Sequence, residues 1–116
     1  MGKPVGHYSP FVKAGDFVVT SGQIGIDDDG KLVSIEFADQ AKQALANVRE
    51  VLTDAGLQIT DIVKVTVFLT DMADWPSLNT IYAEFFGEHK PARSAIGVAA
   101  LPLGARVEVE AWACRS

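Results

Sequence analysis

The sequence predicts an α+β fold: a mixed β-sheet with two helices packed on one of its faces. Three observations predict it. Hydrophobic patterns run strand, strand, helix, strand, helix, strand, strand, a mixed order that favours helices gathered on one side of a sheet. Both helical stretches carry a single apolar stripe. The strands alternate between an apolar and a mixed face, as strands do when helices cover only one side. The 116 residues fit a single domain, 1–116, with no linker, internal repeat or low-complexity run.

Residues 1–10, broken by Gly2, Pro4, Gly6 and Pro10, read as an extended arm. Tyr8 within it either packs the arm down or lines a site. Phe11 and Val12 start a short strand, and Gly15-Asp16 is a turn. Phe17 to Gly22 reads as a buried strand that Ile24 and Ile26 continue. At Ser21-Gly22 the glycine marks either a bulge or the close approach of another chain or a ligand. Asp27-Asp28-Asp29-Gly30 is a turn without the ligand spacing of a calcium loop.

Residues 35–55 read as the long helix, with Ser34 as N-cap and Glu36 and Asp39 at the positive end of its dipole. Its core stripe is Ala41, Leu45, Val48, Leu52 and Ala55, and Gly56 is its C-terminal cap. Residues 61–70 form the clearest strand. Val63, Val65, Val67 and Leu69 make its apolar face, opposite Ile62, Lys64, Thr66, Phe68 and Thr70. Asp74 caps a second helix with Pro76 in its first turn, the stripe Leu78, Ile81, Tyr82 and Phe85, and Gly87 at its end. A helix between strands permits one parallel crossover. Asn79 lies at the edge of the stripe; a helix-surface Asn is ordinarily solvated, and a place in a site is its other reading. His89 reads as a surface residue.

Residues 91–110 read as two strands joined by a short Leu-Pro-Leu-Gly turn. Val107, Val109, Ala111 and Ala113 face the core, and Arg106, Glu108, Glu110 and Trp112 face away. Arg93, Ala95 and Gly97 share a small face that leaves space around a guanidinium. If the two strands are neighbours, Arg93 and a glutamate look into one cleft. Such a pair is either an ion pair at a sheet surface or the start of a site. In a site, Arg grips a carboxylate through two parallel hydrogen bonds, and Glu holds a water or moves a proton.

Composition excludes several classes. Hydrophobic residues at 48% and charged residues at 22% make an ordinary globular mix. A net charge of −5 argues against an electrostatic nucleic-acid binder. A single cysteine, Cys114, allows no intrachain disulfide and no zinc cluster, which suits a reduced, cytoplasmic compartment. The first residues lack an apolar signal region, and no run approaches the ~20 apolar residues of a membrane span. A sheet from so short a chain leaves one face uncovered, and a symmetric oligomer is one way to cover it.

Assembled in order, the segments resemble the RidA family, also called YjgF/YER057c/UK114 and labelled endoribonuclease L-PSP. The resemblance rests on Gly6-His7-Tyr8-Ser9, Thr20-Ser21-Gly22-Gln23-Ile24, Gln40-Ala41 through Asn47-Val48, Asp61 to Leu69, and Asn79 with Tyr82 to Phe86. Its most specific parts are Pro91-Ala92-Arg93-Ser94 and Val107-Glu108-Val109-Glu110-Ala111. The resemblance implies a chorismate-mutase-like fold assembled as a homotrimer, with the three sheets forming a central barrel and the sites lying in clefts between subunits. It implies hydrolysis of reactive enamines and imines, chiefly 2-aminoacrylate, to 2-keto acids and ammonia, with no cofactor and no metal. By the same resemblance Arg93 holds the substrate carboxylate and Glu108 activates water and relays protons. Tyr8, Ser21, Gly22 and Asn79 match positions lining the cleft, some of them from the neighbouring subunit. Many members carry Cys two residues after the arginine; here that position is Ala95, so a thiol contact is absent. A regulatory trimer that binds small carboxylates without turning them over is the alternative. A ribonuclease is a third reading, opposed by the acidic charge and the lack of a paired-His or metal-carboxylate site.

Overall fold

The computed structural model describes residues 6–115, so residues 1–5 of the expected arm lie outside the described part. Six strands form one sheet: β1 (Phe11–Ala14), β2 (Phe17–Thr20), β3 (Gln23–Ile24), β4 (Ile62–Leu69), β5 (Ala92–Gly97) and β6 (Val107–Cys114). Two helices, α1 (Phe37–Asp54) and α2 (Trp75–Phe86), cover one face. The strand order is β1-β2-β6-β4-β5, with β3 pairing further along β6. Only β4 and β5 run parallel, joined by the crossover through α2.

Helix α1 buries Phe37, Ala41, Ala44, Leu45, Val48, Val51 and Leu52, one apolar stripe at helical spacing. Each such leucine or valine contributes about 1.5–3 kcal/mol by leaving water. Two polar residues share the stripe and are fully satisfied. Asn47 Nδ2 donates to the carbonyls of Ile24 and Ile26 at 3.0 Å, and Asn47 Oδ1 accepts from Gln43 at 2.9 Å. Gln40 donates to the Ser34 carbonyl at 2.9 Å and accepts from the Arg106 N–H at 2.8 Å. These amides tie α1 to β3 and to the entry of β6. The helix starts later than expected: its cap position is Glu36, and the Ser34 hydroxyl instead accepts from the Glu36 N–H in a turn before it. At the other end Gly56 (φ 81°) makes a Schellman turn, with Leu57 N–H reaching the Leu52 carbonyl at 2.8 Å.

Strand β4 corrects the expected face. Val65, Val67 and Leu69 are buried, but Ile62 replaces Val63, which is 44% exposed. A bulge against β6 between Ile62 and Lys64 inserts Val63 and reverses the alternation there. Ile26 does not extend β3 but forms an isolated bridge with Leu32, closing the turn that the Asp27 carboxylate holds by accepting from the Asp29 and Lys31 N–H groups. His89 is half-buried, its ring nitrogen 2.8 Å from the Ile62 carbonyl, rather than at the surface.

Strands β5 and β6 are not neighbours, contrary to the hairpin expected. β4 lies between them, parallel to β5 and antiparallel to β6. Residues 98–106 cross the end of β4, pinned by Val98 N–H to the Leu69 carbonyl and Thr70 N–H to the Arg106 carbonyl. Nine residues easily span the two strand spacings, about 9.6 Å. The Leu-Pro-Leu-Gly break is only one turn within that crossing.

The second face of the sheet carries no helix. Across it lie Phe17, Val19, Lys64, Thr66, Phe68, Ser94, Ile96, Glu108, Glu110 and Trp112. Trp112 is 45% exposed, and its ring meets Phe17 edge-on at 6.2 Å. Among the described residues, no helix is long and apolar enough to cross a membrane.

Candidate functional site

Arg93 lies on β5 opposite Val65, a core residue, so its side chain leaves the sheet on the helix side. The space around its guanidinium is not open, as the small β5 face suggested. Trp75 and Tyr82 of α2 occupy it, with the guanidinium carbon 4.8 Å from the Trp75 ring centre and 4.7 Å from the Tyr82 ring centre. Seven residues are two helical turns, so both rings project from one side of α2. Asn79 lies between them at i+4 from Trp75 and i−3 from Tyr82, which places it on the same stripe; it is half-buried. Ala95 follows Arg93 on the same face, packed against the edge of the core.

Burial pushes the Tyr82 hydroxyl above its ordinary range, and the Arg93 charge pulls it partly back. That hydroxyl is buried without a hydrogen-bond partner. Tyr82 counted as core in the sequence, and Trp75 carried no assignment. Their signal was the spacing of aromatics on a helix that crosses over to the arginine strand.

Glu108 occupies the other face, in the row Glu108, Phe68, Ile96. Its carboxyl lies against Gly22: a Cβ there would sit 2.7 Å from Cδ and 3.0 Å from Cγ of Glu108. The glycine therefore marks a close approach, and the approaching group is this carboxyl. Burial, and then the neighbouring Glu110 charge, hold Glu108 above the usual carboxylate range. An upward shift suits a group that gives and takes protons. Ser21, beside Gly22, donates its hydroxyl to the Ser9 carbonyl at 2.6 Å and its N–H to the Pro10 carbonyl at 2.8 Å. These two bonds pin the arm that carries Tyr8, which stays about half exposed.

The predicted residues thus fall into two groups. Arg93, Asn79 and Ala95 lie on the helix side of the β5 edge; Glu108, Gly22, Ser21 and the Tyr8 arm lie toward the other face and the β2–β3 end. Two strand spacings and three residues of rise separate Arg93 from Glu108, about 14 Å between their Cα positions. One chain does not bring them into one cleft. Arg106, expected on the face of Glu108, instead turns back to the helices, where one terminal nitrogen donates to both oxygens of the Asp74 carboxylate at 3.0 and 3.1 Å. Asp74 spends its carboxylate on that pair rather than on capping α2. Among the described residues, no group of three or more His, Cys, Asp or Glu side chains is placed to hold a metal.

An open sheet with two helices on one face, an arginine framed by aromatics and a raised carboxyl against a glycine define a small α+β protein with chemistry at its sheet. The chain belongs to the endoribonuclease L-PSP family, the RidA/YjgF family of the resemblance above, whose model matches residues 2–115. It is 46% identical over 112 residues to a RutC family protein of Pyrococcus horikoshii, covering 96% of this chain and 89% of that one. It is 47% identical over 110 residues to the human 2-iminobutanoate/2-iminopropanoate deaminase, covering 94% of this chain and 80% of that one. Its backbone superposes on Escherichia coli TdcF, solved with bound serine, at a TM-score of 0.93 and 40% identity, covering 99% of this chain and 93% of that one.

Proposed function

We propose that this protein hydrolyses reactive enamines and imines such as 2-aminoacrylate to 2-keto acids and ammonia, in clefts between the subunits of a homotrimer. The observation that carries this reading is a complementary pair of half-sites. One holds a guanidinium that no carboxylate pairs among the described residues; the other holds a carboxyl raised toward proton transfer. Neither suffices alone. A second copy docked through the open face supplies the missing half, and the half-exposed Phe17, Ile96 and Trp112 favour such docking. Relatives named imine deaminases at 43–47% identity support the reaction.

The chemistry follows from the residues. Arg93 grips the substrate carboxylate through two parallel hydrogen bonds. The enamine takes a proton from solvent at its methylene carbon and becomes the iminium. Glu108 holds a water and accepts its proton as oxygen attacks the iminium carbon. It returns that proton to nitrogen, the C–N bond breaks to release ammonia, and the hydroxyl proton leaves to solvent as the keto acid forms. Holding water and carbon in line lowers the barrier of a reaction already feasible in water.

The test is the loss of 2-aminoacrylate, generated in place by a dehydratase, with the native chain, Arg93→Ala and Glu108→Gln. Acceleration by the native chain and by neither variant supports the reading. A second reading, a trimer that binds small carboxylates without turnover, is favoured by Ala95 and by the serine bound in TdcF. It predicts no acceleration, and serine or keto-acid binding that needs Arg93 but survives Glu108→Gln.

A further inference from the structure

We propose that Trp75 and Tyr82 are positioning residues that hold the Arg93 guanidinium against their ring faces, so that its N–H groups stay free for a planar carboxylate before any ligand arrives. The inference rests on the carboxylate-binding role proposed for Arg93 and adds how that role is achieved.

The two arginines beside α2 make the contrast. Arg106 is engaged by a carboxylate: one terminal nitrogen donates to both Asp74 oxygens at 3.0 and 3.1 Å, and the other reaches toward the Ile35 carbonyl at 3.5 Å. Arg93 has no such partner among the described residues, and its contacts are the two ring faces at 4.8 and 4.7 Å. Ring faces attract a cation without occupying its donors. An ion pair would fix the side chain equally well but would have to break before a substrate carboxylate bound. Contact with two ring faces restricts rotation of the side chain and occupies none of its N–H donors.

The rings are themselves fixed. Asp74, next to Trp75, is paired with Arg106 just before β6, and the Tyr82 ring packs tilted against Phe86 with centres 4.6 Å apart. Tyr82 also shows which part of the residue matters. Its hydroxyl is buried and bonds nothing, so its ring face is the part that meets Arg93.

Binding of 2-oxobutanoate, a stable product-type carboxylate, tests the clamp by titration calorimetry on Arg93→Ala, Trp75→Leu, Tyr82→Leu, Trp75→Phe and Tyr82→Phe. Each leucine variant is expected to weaken binding about 3- to 30-fold, the range of one cation–π contact. It should also raise KM far more than it lowers kcat. Each phenylalanine variant should restore binding to within about threefold, whatever the change in Tm. Leucine variants that fold and bind like the native chain overturn the inference. A second measurement needs no variant: the Arg93 Nε–Hε order parameter by NMR in the ligand-free protein. A value as high as that of Arg106 supports the clamp, and a value below about 0.6, typical of free motion, overturns it. Should the native chain fail to bind 2-oxobutanoate, the carboxylate role of Arg93 falls, while the order parameter still decides whether the rings hold it.

Discussion

Replacing Gly22 by alanine separates the position of Glu108 from the stability of the fold. The added Cβ would lie 2.7 Å from Glu108 Cδ and 3.0 Å from Cγ. Comfortable carbon contacts are about 3.5–4.0 Å, so the carboxyl has to retreat by about 1 Å. A misplacement of that size costs about 100-fold in rate, equivalent to about 2.7 kcal/mol on the barrier. The fold loses little, because the displaced group is the end of a flexible, half-exposed side chain. An off-rotamer glutamate costs about 0.5–1.5 kcal/mol. Gly22 lies outside the left-handed region, so alanine returns about 0.4–1 kcal/mol by restricting the unfolded chain. The expected outcome is a kcat/KM for 2-aminoacrylate loss near 1% of native, with Tm within roughly 4 °C. In a Glu108→Gln background the same substitution should add almost nothing, since both act through one carboxyl. Native turnover in Gly22→Ala, or equal losses in both backgrounds, would refute the assignment of water activation to Glu108.

Four further outcomes are expected. Glu110→Gln removes the second cause of the raised Glu108 carboxyl, so the acid limb of the pH–rate profile should move down toward 4.5 but stop short of it, because burial remains; a limb that stays put dissociates Glu108 from the rate. The same shift sets a stability sign: the folded chain holds this proton more tightly, so stability falls as pH rises through the window above 4.5, and Glu108→Gln should abolish that fall in a pH series of Tm values. Trp112→Glu puts a charge in the middle of the open face and should yield monomers by light scattering, with deaminase activity lost; an unchanged mass places the subunit contact elsewhere. Asp74→Ala strips Arg106 of its carboxylate partner in a half-buried setting, and, discounted for solvent, should cost about 1–2 kcal/mol and several degrees of Tm.

Much of the fold was legible because periodicity encodes burial directly. The α1 stripe and the alternation of Val107 to Ala113 are patterns that only one face of an element produces. What misled was information that lives between elements. The bulge at Val63 comes from pairing with β6, and Ile62 and Val63 are both apolar, so the strand's own pattern does not reveal which of them the core takes. The Leu-Pro-Leu-Gly break resembles a hairpin turn because local chemistry does not reveal that the flanking residues 98–100 and 105–106 also belong to the crossing. Arg106 escapes its strand phase because it sits one residue before the first ladder pair, where Asp74 outcompetes the pleat for its direction.

The candidate site follows the same division. Each residue's parity on its strand was legible, but parity becomes a place only when strands are put in order. With β4 between them, and with Val65 opposite Arg93 but Phe68 opposite Glu108, the two residues differ by an odd number of steps and so leave opposite faces. No rotamer change in one chain closes a gap of about 14 Å around a sheet. A guanidinium on one face and a carboxyl on the other form a single site only where one copy's edge strand meets another copy's open face. In the proposed trimer, catalysis and assembly are one requirement, and the half-exposed aromatics of the open face decide whether Arg93 meets a Glu108.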